Sequence, residues 1–384
     1  MAAFPQPRYR NDFEIAIICA LRVESDAVEA LFDEFWEDVD YGKAPGDTNA
    51  YTLGRISCHN IVLVHMPGMG KARAAAVAAS FRSSFPRIKL CLLVGICGGV
   101  PNGTDNEKEI VLGDVIISTG LVQYDFGRQF DHRFIRKDNL ENNLGRPNAE
   151  IQSLLAKLGG RHSRLRLRKN TSSYLALLSQ EGFENARYIG ADEDKLFEST
   201  YRHKHHGLPT CNICANCLKK EDEVCDAALE SSCVELKCDK NRQVTRSRLI
   251  WAKEAPAGVG ESHAAAQENI NAIKLSIHFG LMASGDTVIK SGEERDRIAS
   301  KEKVIAFEME GAGVWDTFPC VVIKGVSDYA DSHKDKKWQG YAAATAAACM
   351  KAFLKEWITS DRPSQLLLPP SELGSSQFLD SKHL

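Results

Sequence analysis

Residues 89–99 read Lys-Leu-Cys-Leu-Leu-Val-Gly-Ile-Cys-Gly-Gly, and this stretch points to the fold class. From residue 90 to residue 94 it is continuously apolar, which is typical of a strand that is buried on both faces. Gly95, Gly98 and Gly99 then end the predicted strand in a glycine-rich segment, where a backbone can approach a ligand closely. Strands of this kind belong to sheets that helices cover on both sides.

Predicted strands and helices alternate on both sides of this stretch. The strands cover residues 13–20, 51–56, 60–66, 89–94, 115–118, 273–284, 304–307 and 320–326. Apolar stripes at helical spacing cover residues 23–35, 71–85, 149–158, 174–181, 291–300, 311–317 and 338–358. We therefore predict an α/β fold: a single three-layer αβα domain, residues 13–358, around a central mixed, largely parallel sheet. Ligands of such domains bind at the carboxyl ends of the strands.

Composition narrows the classes of function. The 384-residue chain is 43% hydrophobic and has a net charge of -3, which gives no general attraction to nucleic acid or anionic membranes. No apolar run reaches the roughly 20 residues of a membrane-spanning helix, and residues 1–12 resemble neither a signal peptide nor a transit helix. We expect a cytoplasmic protein with a small-molecule partner and with neither a nucleic-acid nor a membrane partner. Residues 359–384 are predicted to be disordered.

Residues 200–263 differ from the rest of the domain and are predicted to form an insertion. His203, His205 and His206 precede the run Cys211-x-x-Cys214-x-x-Cys217, and three further cysteines follow it, Cys225, Cys233 and Cys238. Thiolates two residues apart suit a tetrahedral zinc ion, so the insertion is a candidate for a structural zinc site. A second Cys-x-x-Cys pair is missing, and free or oxidised thiols are the alternative.

Polar residues follow several of the predicted strands. Glu24 comes after the first strand, Glu308-Met309-Glu310 ends a later strand just before a helix, and Ser327-Asp328 ends the last strand. Each has a plain structural alternative when it is taken alone. Glu310 and Asp328 could cap helices, and Glu24 could lie on a solvated helix face.

The order and spacing of these segments resemble the nucleoside phosphorylase and nucleosidase superfamily, which includes purine and uridine phosphorylases and methylthioadenosine nucleosidases. The sequence is most similar to fungal members, in which the domain is often fused to ankyrin or NTPase modules. We predict no such module in this chain. The resemblance also implies a homo-oligomer, with a dimer favoured. The matching segments are Ile18-Cys19-Ala20 with Glu24, Gly68-Met69-Gly70-Lys71, Val94-Gly95-Ile96-Cys97-Gly98-Gly99, Leu112-Gly113-Asp114-Val115, Gly280-Leu281-Met282-Ala283-Ser284-Gly285-Asp286, Phe307-Glu308-Met309-Glu310 and Gly325-Val326-Ser327-Asp328.

The resemblance assigns the three acids different roles. Cleavage of a ribosidic bond develops positive charge on the sugar and negative charge on the departing base. Glu310 stands at the family's position for binding the ribose hydroxyls. Asp328 stands at the position of the acid toward the base, a role that requires a pKa raised by burial. Glu24 matches the residue with which nucleosidases activate water.

Further substrate contacts are implied by the resemblance. Met309 would pack against the sugar, with a plain core position as the alternative, and Ile289 would offer backbone groups to the base. Val288 stands where the family has an aromatic that stacks on the purine. Residues 124–128 and Trp338 could close the 5′ end of the substrate, although a folding or subunit-contact role is favoured for each. The substrate-binding set is Glu308, Met309, Glu310, Val288, Ile289, Ile96 and Gly98.

The attacking group distinguishes two reactions. Leu93 and Ile96 stand where purine phosphorylases have an Arg and a Ser, and neither can hold phosphate. Lys324 stands where nucleosidases have an Arg near the attacking water. We therefore expect a nucleosidase, a hydrolase that cleaves purine nucleosides to free base and ribose and requires no cofactor. A phosphate-dependent phosphorylase is the first alternative. A nucleoside-binding sensor with little catalysis is the second, because Ile96 and Val288 depart from the family pattern.

Overall fold

A nine-stranded mixed sheet forms the centre of the protein in a computed structural model that describes residues 6–37, 40–103, 109–206, 211–254 and 275–358. The strand order is β10-β9-β6-β11-β5-β1-β4-β3-β2, and five of the nine strand pairings are parallel. A separate two-stranded sheet is formed by β7 and β8. The strands are β1 Ile15–Cys19, β2 Glu34–Phe35, β3 Ala50–Ile56, β4 His59–His65, β5 Leu90–Gly99, β6 Val115–Gln123, β7 Gly127–Phe130, β8 Arg133–Arg136, β9 Ile277–Ser284, β10 Val304–Glu308 and β11 Cys320–Asp328.

Helices pack against this sheet and complete the predicted α/β architecture. The longest apolar helix, α10 (Gln339–Leu354), is buried from Tyr341 to Leu354 and packs on β5 and β11 as well as on α1 (Arg22–Glu29) and α4 (Arg161–Gln180). A Cβ at Gly325 would lie 2.0 Å from the carbonyl oxygen of Ala342, so strand and helix meet in backbone contact. The helices are α1 Arg22–Glu29, α2 Lys71–Ser84, α3 Ala149–Gly159, α4 Arg161–Gln180, α5 Asn212–Asn216, α6 Asp226–Glu230, α7 Ser247–Glu254, α8 Gly292–Glu302, α9 Gly311–Val314 and α10 Gln339–Leu354.

Strand β5 continues through the glycine-rich segment, so the prediction that the strand ends at residue 94 is wrong. Its last residues pair with two strands at once: Gly98 lies opposite Asp328 of β11 and opposite Phe307 of β10. A Cβ at Gly99 would lie 2.7 Å from the Val326 side chain. The glycines therefore extend the strand, because only residues without a side chain fit between these neighbours.

Most other element bounds agree with the sequence patterns. The strands predicted over residues 51–56 and 60–66 are β3 and β4, which form a hairpin and pair from Ala50 opposite His65 to Ile56 opposite His59. Three predicted bounds differ most: the helix predicted over residues 23–35 ends at Glu29, β6 runs on to Gln123, and the helix predicted over residues 174–181 begins at Arg161. The predicted tail, 359–384, lies outside the described residues, as do 207–210 and 255–274 of the predicted insertion and the strand after it. Among the described residues, no helix is long and apolar enough to cross a membrane.

Candidate active site

Glu24 lies at the start of α1 and joins the ends of two strands. Its Oε2 accepts hydrogen bonds from the backbone N–H groups of Ala20 and Leu21, both at 2.9 Å. Its Oε1 accepts one from the N–H of Ile96 in β5, at 2.8 Å. The residue is 2% exposed, and burial raises the pKa of its carboxyl group, which Lys324 partly offsets. A Cβ at Gly95 would lie 2.0 Å from Oε1, so the glycine makes room for this carboxylate.

Lys324 of β11 lies between two carboxylates in the interior. Its Nζ donates to Oε2 of Glu310 at 3.2 Å and lies 4.0 Å from Oε1 of Glu24. Burial opposes the charged form, but Glu310 and Glu24 outweigh this effect and raise the pKa of the ammonium group. We call Glu24, Lys324 and Glu310 the buried ion triad.

The segment from Glu308 to Gly311 turns β10 into α9. Glu308 supplies the cap, because its Oε2 accepts from the N–H groups of Glu310 at 3.0 Å and Gly311 at 2.8 Å. Burial raises the pKa of Glu308, and the charge of Glu310 raises it further. The side chain of Glu310 makes no capping hydrogen bond, so the alternative that Glu310 only caps a helix does not describe this structure.

Asp328 ends β11 and is less buried than the triad. Its Oδ2 accepts from the hydroxyl of Ser327 at 3.0 Å, and its Oδ1 accepts from the N–H of Ala330 at 2.9 Å. The Nζ of Lys334 lies 3.6 Å from Oδ1, and the side chain of Asp328 is 14% exposed. These contacts orient the carboxylate beside Gly98, whose Cβ would lie 3.1 Å from Oδ1.

Three consecutive residues of β5 link these groups. Ile96 binds Glu24 through its backbone, and Gly98 lies against Asp328. Between them, burial raises the pKa of the Cys97 thiol. The charged groups that act on this thiol electrostatically are Lys324, Asp328, Glu308 and Glu24. The structure thus brings the predicted acids to one end of the sheet, around a single strand.

Other predicted contacts lie further out. Val288 is 44% exposed, and Met309 is partly buried. Ile289 is buried against Phe307 and Ala330 and lines a cavity of about 370 Å³ whose lining includes neither Glu24 nor Glu310 nor Asp328.

Trp338 and the segment after β6 make structural contacts. Trp338 is 2% exposed, packs edge-on against Tyr188 and Tyr341, and donates from Nε1 to the carbonyl of Glu193. The hydroxyl of Tyr124 donates to the carbonyl of Thr287 at 2.8 Å. These contacts fit the folding role that the sequence favoured for both regions.

The structure adds roles that the sequence left open. The motif residues Lys71 and Asp286 lie together, because Nζ of Lys71 is 2.5 Å from Asp125 and 3.7 Å from Asp286. They hold the segment after β9 to α2. The contact between Lys334 and Asp328 could not be predicted from the sequence, because a single lysine six residues after a strand fits no motif.

Comparison with known proteins gives a family match and related sequences. Residues 14–155 match the model of the phosphorylase superfamily. A nucleotide-binding leucine-rich repeat (NLR)-like protein of Hyaloscypha variabilis is 31% identical over 350 residues, which are 90% of this chain and 29% of that protein. An aminodeoxyfutalosine nucleosidase of Helicobacter pylori is 31% identical over 102 residues, or 24% of this chain and 44% of that protein. The chain therefore spans less than half of either relative.

Among solved structures, a 5′-methylthioadenosine/S-adenosyl homocysteine nucleosidase of Helicobacter pylori aligns with 90% of this chain and 100% of its own, at 17% identity and a TM-score of 0.49. The family match confirms the resemblance seen in the sequence motifs. Over residues 14–155, this chain is similar to the phosphorylase superfamily.

Proposed function

We propose that the protein hydrolyses the N-glycosidic bond of a purine nucleoside and releases the free base and ribose. In this proposal Glu24 activates the attacking water, Glu310 binds the ribose hydroxyls, and Asp328 donates a hydrogen bond or proton to the departing base. A general base or acid of this kind contributes on the order of a hundredfold to ten-thousandfold in rate. No cofactor takes part in the proposed reaction.

The position of Glu24 is the observation that favours water over phosphate as the attacking group. Its carboxylate accepts a hydrogen bond from the backbone N–H of Ile96, so this donor is already occupied and is not open to a phosphate ion. The neighbouring Leu93 is an apolar core residue and supplies no positive charge. A phosphate here would face an anion, whereas a water molecule could give up a proton to it.

Glu310 fits the proposed ribose contact because its charge is held in place. Lys324 binds one of its oxygens, and no hydrogen bond to the other is found among the described residues, so we assign that oxygen to a ribose hydroxyl group. A buried carboxylate beside the sugar favours the positive charge that develops there in the transition state.

The proposal agrees with the matches to known proteins at the level of nucleoside cleavage. The Helicobacter pylori relative is named an aminodeoxyfutalosine nucleosidase, and it resembles about a quarter of this chain. The purine preference and the hydrolytic route are our own proposals.

A panel of nucleosides, each incubated with and without phosphate, tests the reaction. We expect base release that does not depend on phosphate, with ribose as the second product by chromatography. Release that requires phosphate and yields ribose 1-phosphate would instead identify a phosphorylase. Light scattering on the same preparation tests the proposed dimer.

A second candidate function is a nucleoside-binding module within a larger protein. The match to an NLR-like protein, of which this chain spans 29%, favours it. Calorimetric titration with the same nucleosides separates the two candidates. Saturable binding without accumulation of free base over long incubation would support the binding module and contradict the hydrolase.

A further inference from the structure

The cysteines and histidines of the insertion form two separate clusters. Within each cluster, the four ligand atoms all lie within 4.8 Å of one another. The first cluster consists of His205, Cys211, Cys214 and Cys225, and the second of His203, Cys233, Cys238 and His333. We propose that each cluster binds one zinc ion, and that the second ion fastens the insertion to the loop that follows Asp328.

The distances within the clusters are those of a tetrahedral zinc site. Zinc bonds of about 2.3 Å to sulfur and about 2.05 Å to nitrogen place tetrahedral ligands about 3.8 Å apart for two sulfurs, about 3.6 Å for sulfur and nitrogen and about 3.3 Å for two nitrogens. In the first cluster, Nδ1 of His205 lies 3.5 Å from Sγ of Cys214 and 3.4 Å from Sγ of Cys225, and the two sulfurs are 3.6 Å apart. A disulfide would bring the sulfurs to about 2.05 Å.

The second cluster has the same dimensions. Nδ1 of His333 lies 3.5 Å from Sγ of Cys233 and 3.3 Å from Nδ1 of His203. Nδ1 of His203 lies 3.8 Å from Cys233 and 3.7 Å from Cys238. All four distances fall within about 0.3 Å of the tetrahedral values.

Hydrogen bonds orient both imidazoles of the second cluster for a metal. Nε2 of His203 lies 2.9 Å from the carbonyl of Ser231, and Nε2 of His333 lies 3.1 Å from the carbonyl of Tyr201. Because a carbonyl only accepts, each Nε2 carries the hydrogen, and in the neutral ring Nδ1 is left with a lone pair. Two such lone pairs facing each other repel unless a cation lies between them. Metal-bound histidines are held by this arrangement.

The insertion needs such ligands, because its own hydrophobic core is small. Within the described part of this segment, the hydrophobic cluster around the first metal cluster has three buried members, which are Ala228, Leu236 and the proposed ligand Cys214. A segment with so little apolar burial is commonly held by metal ions or disulfides, and the cysteines described in this segment form no disulfide. Sulfur and nitrogen ligands in tetrahedral groups of four favour zinc over harder cations.

The second cluster reaches outside the insertion. His333 lies five residues after Asp328, and its N–H donates to Oδ1 of Asp331 at 2.9 Å. The next residue, Lys334, is the cation 3.6 Å from Asp328. A zinc ion on His333 would therefore fix the loop that carries this cation. The effect on Asp328 rests on the proposed function, whereas zinc binding does not.

Metal analysis of the full chain, purified without chelators, tests zinc binding. We expect about two zinc ions per chain, one fewer in Cys214→Ser, and one fewer in His333→Ala. His333→Cys, which restores a ligand, should regain the second ion. Cys217→Ser is the matched control, because Cys217 is in neither cluster, and it should keep both. Zinc near zero in the unchanged protein, or an unchanged content in both ligand variants, would overturn the proposal.

Steady-state kinetics on the same variants test the link to Asp328. We expect kcat for base release to fall about tenfold or more in His333→Ala with a smaller change in KM, to recover in His333→Cys, and to stay unchanged in Cys214→Ser. An unchanged kcat in a His333→Ala protein that has lost its zinc would overturn the link. If the unchanged protein releases no base, the proposed function fails while the zinc content still decides the metal sites.

Discussion

Replacement of Lys324 by Met removes the cation of the buried ion triad. In the intact protein Nζ lies 4.0 Å from the carboxylate of Glu24. Two unit charges at that distance interact by about 4 kcal/mol at an effective dielectric constant of about 20, which corresponds to about 3 pKa units. Lys324 opposes the rise in the pKa of Glu24 that burial causes. Without the lysine, Glu24 therefore becomes protonated at higher pH.

The assay is the pH dependence of kcat/KM for base release. If Glu24 is the base, its protonation sets the acidic limb, and we expect that limb to move up by about one to three pH units in Lys324→Met. Lys337→Met is the matched control, because Lys337 is 59% exposed and paired with Glu193. In Lys337→Met the acidic limb should stay in place. An acidic limb that also stays in place in Lys324→Met would refute the role of Glu24.

Stability should change with pH in the same variant. A buried pair that loses one partner is typically destabilised by about 3–5 kcal/mol. Burial raises the pKa of Glu24 above its ordinary value in the folded protein. Its favourable contribution is therefore complete below the unfolded pKa and is lost as pH rises through the folded value. Because the substitution raises the folded pKa further, the Tm deficit of Lys324→Met should be smaller at acidic pH than at alkaline pH.

Three further substitutions test the remaining parts of the site. Asp328→Asn should lower kcat about a thousandfold with an unchanged circular dichroism spectrum, and near-normal turnover would contradict its role as the acid. Glu310→Gln should lose the preference for ribonucleosides over 2′-deoxyribonucleosides by roughly a hundredfold, since that preference arises from the hydroxyl contact, and a retained preference would place the ribose elsewhere. Gly95→Ala should cost about 1–3 kcal/mol and most activity, because its Cβ would lie 2.0 Å from Glu24. Gly159→Ala, where nothing lies within 4 Å, should change neither unfolding nor turnover.

The sequence predicts the central strands well because their apolar runs are buried along their whole length. In β1 and β10 every residue is buried, and this is the pattern that identifies such strands. The continuation of β5 through Gly95 and Gly99 could not be predicted, because glycine disfavours strands in general. The strand continues through these glycines because its end pairs with β10 and β11, which lie on either side of it and are distant in sequence.

The positions of the acids were predictable, whereas their partners were not. Glu24, Glu310 and Asp328 each follow a strand, and the carboxyl ends of parallel strands meet at one edge of a sheet. That Glu308 rather than Glu310 caps α9 depends on side-chain rotation, which the sequence does not record. His333 shows the same limit, because nothing in its sequence surroundings links it to Cys233, a hundred residues earlier.

The cost of the buried ion triad favours a catalytic site over a site that only binds. Charges taken out of water are often less favourable than apolar side chains of the same volume, so the fold has no need of Lys324 and two carboxylates in its interior. A module that only binds a nucleoside needs a group for the ribose hydroxyls, which Glu310 supplies. Hydrogen bonds from the N–H groups of Ala20, Leu21 and Ile96 give Glu24 a structural role in either case, but a module that only binds has no use for the rise in its pKa that burial causes. A base that must take a proton from water near neutral pH does need that shift, because a carboxylate with an ordinary pKa is too weak a base. The raised pKa of Glu24 therefore has a reason under the proposed hydrolysis and none under the binding interpretation.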